Sequence, residues 1–398
     1  MKSLIQKSIV TLLYSLFGLA VLPVHAGFSS LYVFGDALSS TTDNQDTRYY
    51  NHRYSNGRVW VEVLAQRQGL TYDASKNNSY YDHNSTLLAA EINTFKAPSD
   101  VANDLFIVWV CNADTFDSAS DFTLGSPDTL YAQWQVANTL SQINHLQIIN
   151  TLYAKGVRTL IMPNAVDIST IPAFNSSSFA GVMRAGCIDF NAKFSNTINQ
   201  ARALHPDLKI YAPDFFTLLN DVLANAASYG LTNMIVNGHS IDAMGAFNYG
   251  LPHAAINGYG TNYIFWDNID PTAMFHEIIA DVAQQIISPV KIARLTPLNG
   301  GNRLDLANIP IGLNGFVEGT TNLTLIDWTG VTNIASISSA QSIFVNAAPL
   351  QLPPIPPSSG GSGGGIGDPG SGTGTNSVPF PSAAQFYRVS FPFAWSWP

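Results

Sequence analysis

The sequence predicts a doubly wound α/β domain with a parallel sheet, followed by a small C-terminal β module. Three observations predict it. Between residues 27 and 290, short unbroken apolar runs alternate with longer runs at helical spacing. Buried strands separated by helices are the pattern of a parallel sheet covered on both faces. After Pro289 the pattern changes to short Thr/Ile/Val/Phe runs broken by Gly and Asn, as in a small antiparallel sheet.

The elements follow in order. Ser30 to Phe34 reads as a buried strand ending at Gly35-Asp36, and Val59 to Gln68 as a helix. Asp104 to Val110 is a second buried strand. Leu130 to Lys155 has helical spacing and is closed by Gly156, where a C-terminal glycine belongs. Val157 to Met162, stopped by Pro163, is the third strand. Phe190 to Leu204 is a helix, His205-Pro206 a breaker, Lys209 to Ala212 the fourth strand, and Thr272 to Ile287 the last helix. In such sheets ligands sit at the carboxyl ends of the strands.

The 398 residues are 46% hydrophobic and only 11% charged, against ~25% in ordinary soluble chains. That composition supports a sizeable core and excludes disorder of the whole chain. Eighteen Lys+Arg against 27 Asp+Glu leave a net charge of -9. Such a balance argues against nucleic acid as a partner, which needs clustered cations. Two cysteines, Cys111 and Cys187, are too few for a disulfide framework or a Cys-rich zinc site.

Lys2 and Lys7 precede an apolar run from Ile9 to Leu22, and Val24-His25-Ala26 then supplies small residues. This is the layout of a cleavable secretory signal over residues 1–26, cut near Ala26. The run is short for a ~20-residue membrane span, and no later stretch is long and apolar enough to be a transmembrane helix. The expected mature protein is secreted, periplasmic or held at the cell surface. Residues 27–290 then form the α/β domain and 291–398 the β module. Within the module, residues 353–382 carry 7 Pro, 6 Ser and 9 Gly, a composition that cannot bury enough surface to order itself.

Four segments carry a resemblance. They are Phe34-Gly35-Asp36-Ala37-Leu38-Ser39, Tyr54-Ser55-Asn56-Gly57-Arg58-Val59-Trp60, Asp104 to Val110 with Cys111-Asn112-Ala113-Asp114, and Tyr263 to Thr272 with Trp266-Asp267-Asn268-Ile269-Asp270-Pro271. In this order they resemble the blocks of the GDSL family of ester hydrolases, the SGNH hydrolases. The resemblance implies a flavodoxin-like SGNH fold and acyl transfer without a cofactor or metal. In that chemistry a serine attacks the ester, an Asp-x-x-His pair supplies base and orienter, and a glycine and an asparagine help to hold the oxyanion.

Carried over residue by residue, the nucleophile position is Ala37 and the base position is Asp270, while the orienting carboxylate Asp267 is kept. The oxyanion positions are Gly57, Cys111 and Ala113, of which only Gly57 keeps the family's residue. Alanine has no nucleophilic atom, and aspartate lacks imidazole's near-neutral pKa. The family's standard mechanism cannot run here, which leaves a pseudo-hydrolase that binds an acyl-ester, lipid or glycan ligand without cutting it. The alternative is an active esterase with a relocated group: Ser39, Ser40, Cys111 or His276. Ser39 and Ser40 read as caps of a following helix, Cys111 as a structural thiol, and His276 as a helix-face residue. Cys111 and Cys187 are free to pair after export.

Asp36, Asp267 and Asp270, with Asp114, are expected near one cleft. They are solvated, protonated or hydrogen-bonded there, or they hold a Ca²⁺-like ion. Thr321-Asn322-Leu323 with Trp328, and Gln385 to Val389, are similar to a small β module at the ends of exported bacterial proteins. Phe391, Phe393, Trp395 and Trp397 alternate at period two and read as an edge strand, with a membrane tip or partner contact as alternatives.

Overall fold

The computed structural model describes residues 27–120, 126–246, 260–320, 328–346 and 386–391. The signal segment, Thr321 to Leu323, the 353–382 tract, Gln385, Phe393, Trp395 and Trp397 lie outside the described residues.

Four strands form the central sheet: β1 (Leu31–Gly35), β2 (Leu105–Trp109), β3 (Thr159–Ile161) and β4 (Lys209–Tyr211). They are parallel and lie side by side in chain order. A sheet wound one way only would carry its crossovers on one face. Here the winding reverses, because Asn77 bridges Val33 in parallel on the outer side of β1. Asn78 N donates to Val33 O at 2.8 Å and Tyr80 N to Gly35 O at 3.3 Å, so residues 77–80 act as a rudimentary edge strand. The chain leaves β1 one way, returns, and crosses to β2 on the other side. That reversal puts the topological switch point between β1 and β2.

The helices are α1 (Trp60–Arg67), α2 (Ser85–Thr94), α3 (Cys111–Ser120), α4 (Pro127–Ala154), α5 (Ala180–Leu204), α6 (Phe215–Asn225), α7 (Ala243–Ala246) and α8 (Ala273–Ile287). α1 packs on α8, whereas α4 packs on α2 and α5. Ser126 caps α4 through its Oγ, Pro127 sits at its first position, and Gly156 follows at φ +100°. α5 begins ten residues before the expected Phe190. Its Gly186 makes close packing possible: a Cβ there would lie 2.4 Å from the Trp134 ring. Continuous apolar strands need cover on both faces, and Phe34, Phe106, Trp109 and Ile161 are fully buried.

β5 (Ile235–Val236) and β6 (His239–Ser240) form a small hairpin whose Asn237-Gly238 turn takes φ +52° and +83°. Beyond α8 lie β7 (Lys291–Leu298), β8 (Gly301–Ala307), β9 (Gly315–Thr320), β10 (Thr329–Ile334), β11 (Ala340–Asn346) and β12 (Phe386–Ser390). They make two antiparallel sheets, ordered β11-β8-β7 and β10-β9-β12. Leu304, Leu306, Val317, Ile334, Val345 and Phe391 form a core of their own. Phe391 is therefore a core residue and not an exposed tip. β12 pairs with β9, so the chain before and after residues 353–382 enters one sheet.

Candidate active site

β1 ends at Gly35 because the chain must turn sharply: a Cβ there would meet Ser39 Cβ at 2.7 Å. Asp36 then caps a single 3₁₀ turn, Ala37–Ser39, its Oδ1 accepting from Leu38 N at 3.1 Å. Ala37 is left half-buried at the carboxyl end of β1. The expected caps behave differently. Ser39 is fully buried, with its Oγ accepting from Trp60 Nε1 at 3.0 Å, and the Ser40 hydroxyl donates to Asp43. No long helix follows for them to cap, because the chain continues through bends and turns to α1.

The opposite wall is the turn before α8. Asp267 Oδ1 accepts from Ile269 N at 2.8 Å and Asp270 N at 2.6 Å, and its other oxygen accepts from the Tyr49 hydroxyl. Thr272 caps α8, accepting from Phe275 N and donating to Tyr263 O. Residues 55–57 clamp this helix start. Ser55 Oγ donates to Pro271 O at 2.9 Å, and Asn56 Oδ1 accepts from Ala273 N at 2.8 Å. Gly57 approaches so closely that a Cβ would stand 2.6 Å from Ala273 Cβ.

Between these walls lies a cleft of about 570 Å³, open mouth included. Its polar lining is Asp36, Tyr81, Asp82, Asn112 and Asp270. Its apolar lining is Ala37, Leu38, Ala113, Phe116, Val166, Ile171 and Ile269. Leu38, Val166, Ile171 and Ile269 also wall an apolar chamber that runs on toward Trp109, Phe215, Leu218, Leu219 and Phe275.

The structure thus brings Ala37, Ala113 and Asp270 together, with Asp267 hydrogen-bonded behind Asp270. Gly57 and Cys111 are not in the cleft wall. Gly57 serves the close approach to α8. The Cys111 thiol lies 3.5 Å from Pro163 O and 3.6 Å from His145 Nε2. Asn112 faces the cleft in its place, and its Oδ1 accepts from Val166 N at 3.0 Å. Asp114 also points away, accepting from Ser85 N at the start of α2.

Electrostatics sort these groups. Burial pushes the Asp36 carboxyl up to about 7, against the Leu38 N–H that favours its charge. Burial also pushes Asp114 up to about 7. Asp270 is held well above the carboxylate range by burial first and then by the neighbouring charge of Asp267. Burial raises the Cys111 thiol far out of its ordinary range and Cys187 to about 12; both are free thiols, so the open pairing resolves as none and neither is an activated nucleophile. His276 is pushed down to about 3 by burial, and its Nδ1 accepts from Trp60 N on α1, away from the cleft. Among the described residues no group of three or more His, Cys, Asp or Glu side chains is arranged to hold a metal ion.

Tyr49, Tyr81, Asp82, Val166 and Ile171 were outside every motif. Tyr49 supports Asp267 and the other four line the cleft, all from loops without periodicity, and only the general rule that loops at strand ends build sites pointed toward them.

A parallel sheet with a switch-point cleft, flanked by the first strand and the last helix, is the architecture of an α/β protein that holds its ligand at the carboxyl ends of the strands. The model of the GDSL-like lipase/acylhydrolase family matches residues 31–283, and the chain belongs to that family of ester hydrolases. A GDSL esterase/lipase of Arabidopsis thaliana is 26% identical over 220 residues, 52% of this chain and 56% of that protein. A second from the same plant is 25% identical over 177 residues, 42% of this chain and 46% of that protein. The chain spans about half the length of the curated relatives it matches. Among solved structures, a phospholipase A1 from Streptomyces albidoflavus aligns over 58% of this chain and 96% of its own, with 11% identity and a TM-score of 0.34.

Proposed function

We propose that this chain is an exported GDSL-family pseudo-hydrolase whose cleft binds an acyl-ester or lipid ligand without forming an acyl-serine. One observation carries the reading. Among the described residues the cleft lining holds no serine, threonine or cysteine, and Ala37 stands at the nucleophile position. The base position, Asp270, is a buried carboxyl held well above the ordinary carboxylate range by burial and then by the charge of Asp267, and it offers no imidazole. The apolar chamber adjoining the cleft is shaped to take an aliphatic chain.

The relocated-nucleophile alternative loses support at each candidate: Ser39 hydrogen-bonds Trp60, Ser40 hydrogen-bonds Asp43, the Cys111 thiol lies beside His145, and His276 faces α1. The test pairs two measurements on the purified chain. A fluorophosphonate probe is expected to leave the protein unlabelled, while a fluorescent long-chain ether, which cannot be cleaved, is expected to bind. Stoichiometric labelling of any residue overturns the reading. Export rests on residues 1–26, and amino-terminal sequencing of the protein from the medium or periplasm tests it: a start near Gly27 is expected, a start at Met1 overturns it.

A further inference from the structure

The charges of the cleft do not balance. Asp36, Asp82 and Asp270 are in its lining, Asp267 stands directly behind Asp270, and among the described residues no lysine or arginine is in the lining. Two deep carboxylates elsewhere are given a cation. Asp281, 2% exposed, has Arg67 Nε at 2.6 Å, and fully buried Asp167 has the Arg184 guanidinium.

Two orphaned atoms mark where a partner is missing. Among the described residues Asp36 Oδ2 and Asp270 Oδ1 are buried without a hydrogen bond of good geometry, the Asn112 side chain and the Ala113 N–H being the nearby donors that favour the Asp36 charge, and their residues, 4% and 5% exposed, line the cleft. A buried acceptor left unmatched costs free energy, and a buried carboxylate without a counter-charge costs more. Both costs vanish if a bound group supplies donors or positive charge there.

The geometry selects the kind of cation. The carboxyls are not gathered tightly enough to coordinate a metal ion. A larger, diffuse charge needs no such convergence. Tyr81 and Phe116 present aromatic rings in the same lining, and ring faces attract ammonium groups. The apolar chamber shares the wall of Leu38, Val166, Ile171 and Ile269 with the cleft, and Tyr81 and Asp82 are not in its lining. A ligand filling both spaces has a positive head and an aliphatic tail.

We infer that the cleft recognises an amphiphilic organic cation, its ammonium head set against Asp36 and Asp270 and its alkyl or acyl tail in the chamber lined by Leu218 and Phe275. This deepens the proposed function by naming the ligand's head group, and it rests on that reading for the tail.

The test compares three probes with the same twelve-carbon tail, each below its micellar concentration, by calorimetry at pH 8: dodecyltrimethylammonium, dodecyl maltoside and laurate. The cation is expected to bind at least tenfold more tightly than the neutral probe, and laurate most weakly, since one favourable unit-charge contact near a surface is worth about that factor or more. Asp36→Asn and Asp270→Asn should each remove most of the cation's advantage while leaving dodecyl maltoside affinity unchanged, so a variant that misfolds is recognised by losing both. Equal affinity for the cationic and neutral probes overturns the inference and leaves the tail reading standing. Tighter binding of laurate, or displacement of the cation by millimolar Ca²⁺, overturns it as well. Failure of all three probes to bind overturns the acyl-ligand reading itself.

Discussion

The seam between α1 and α8 and the cleft beside it share the start of α8, yet they treat charge in opposite ways. Along the seam each buried carboxylate has its arginine: Glu62 has Arg53 at 2.6 Å, and Asp281 has Arg67 at 2.6 Å. Ser55 and Asn56 add hydrogen bonds that fix the first turn of α8. The cleft gathers Asp36 and Asp270 with no lysine or arginine among its described lining residues. The difference teaches where selection for folding ends. The seam closes its charges within the chain, whereas the cleft leaves Asp36 and Asp270 without a lysine or arginine among the described lining residues. Asp267 and Asp270 show it within three residues. The first accepts from Tyr49 and two backbone amides; the second is held well above the ordinary carboxylate range by burial and by that neighbour's charge.

If the seam carries stability, breaking its deepest ion pair gives the largest effect. Arg67→Ala strands Asp281, which burial already pushes up to about 6 against the pull of Arg67. It also removes the bond from Arg67 Nη1 to Ile311 O, which ties the α/β domain to the β module. Removing one partner of a buried pair costs ~3–5 kcal/mol. Urea denaturation should show that loss, and a loss below ~1 kcal/mol would erase the distinction between the two regions.

In the cleft the opposite sign is expected. Folded Asp36 keeps its proton up to about pH 7, whereas the unfolded group releases it near 3.8, so folding takes up a proton between these values. Its contribution therefore falls as pH rises through that window and levels off above 7. His145, held down to about 4, and His276, to about 3, act the other way below their ordinary 6.5. The variant-minus-parent difference cancels them. Asp36→Asn keeps an acceptor for Leu38 N and should gain ~2–4 kcal/mol at pH 8 and almost nothing at pH 4. A pH-independent difference, read from Tm against pH, would mean that Asp36 is not the group that titrates.

Gly57→Ala returns to the seam at smaller scale. The added methyl needs room where Ala273 Cβ already stands 2.6 Å away, and both are anchored to backbone, so a helix start has to shift. Overpacking of this kind costs ~1–3 kcal/mol. A neutral result would show that the clamp is looser than its hydrogen bonds indicate.

The parts legible in the sequence were those set by local pattern. β1 and β2 announce themselves as unbroken apolar runs because both their faces are covered. α3 does not, since Cys-Asn-Ala-Asp-Thr-Phe-Asp-Ser-Ala-Ser is rich in weak helix formers and is held by its neighbours. Ala37, Ala113 and Asp270 were reached through motif order, and Asp267 through its spacing from Asp270. The choice between Cys111 and Asn112 was not, because successive residues of a helix point about 100° apart and spacing alone does not say which faces the cleft. The bond from Tyr49 to Asp267 joins residues 218 apart, and no local signal encodes such a pairing. The reversal of winding at residues 77–80 was hidden for a related reason: its pairing with β1 is too short to leave a strand pattern.

The smallest effect expected is none at all, and it probes the cleft most directly. Ala37→Ser restores a hydroxyl at the carboxyl end of β1, but no base comes with it. Asp270 is pushed well above the ordinary carboxylate range by burial and the Asp267 charge, and Asp36 Oδ1 is engaged by Leu38 N. Members of a catalytic triad act as a unit, so the single variant should hydrolyse a chromogenic short-chain ester no faster than the parent. Adding Asp270→His places an imidazole next to Asp267 and should bring weak turnover, lowered because Ala113 offers no side-chain donor; one lost oxyanion donor alone costs ~10²–10³ in rate. Turnover by Ala37→Ser alone, rising with pH through 7, would identify Asp36 as a working base. The cleft would then differ from the seam by retained catalytic machinery and not by an unfilled binding site.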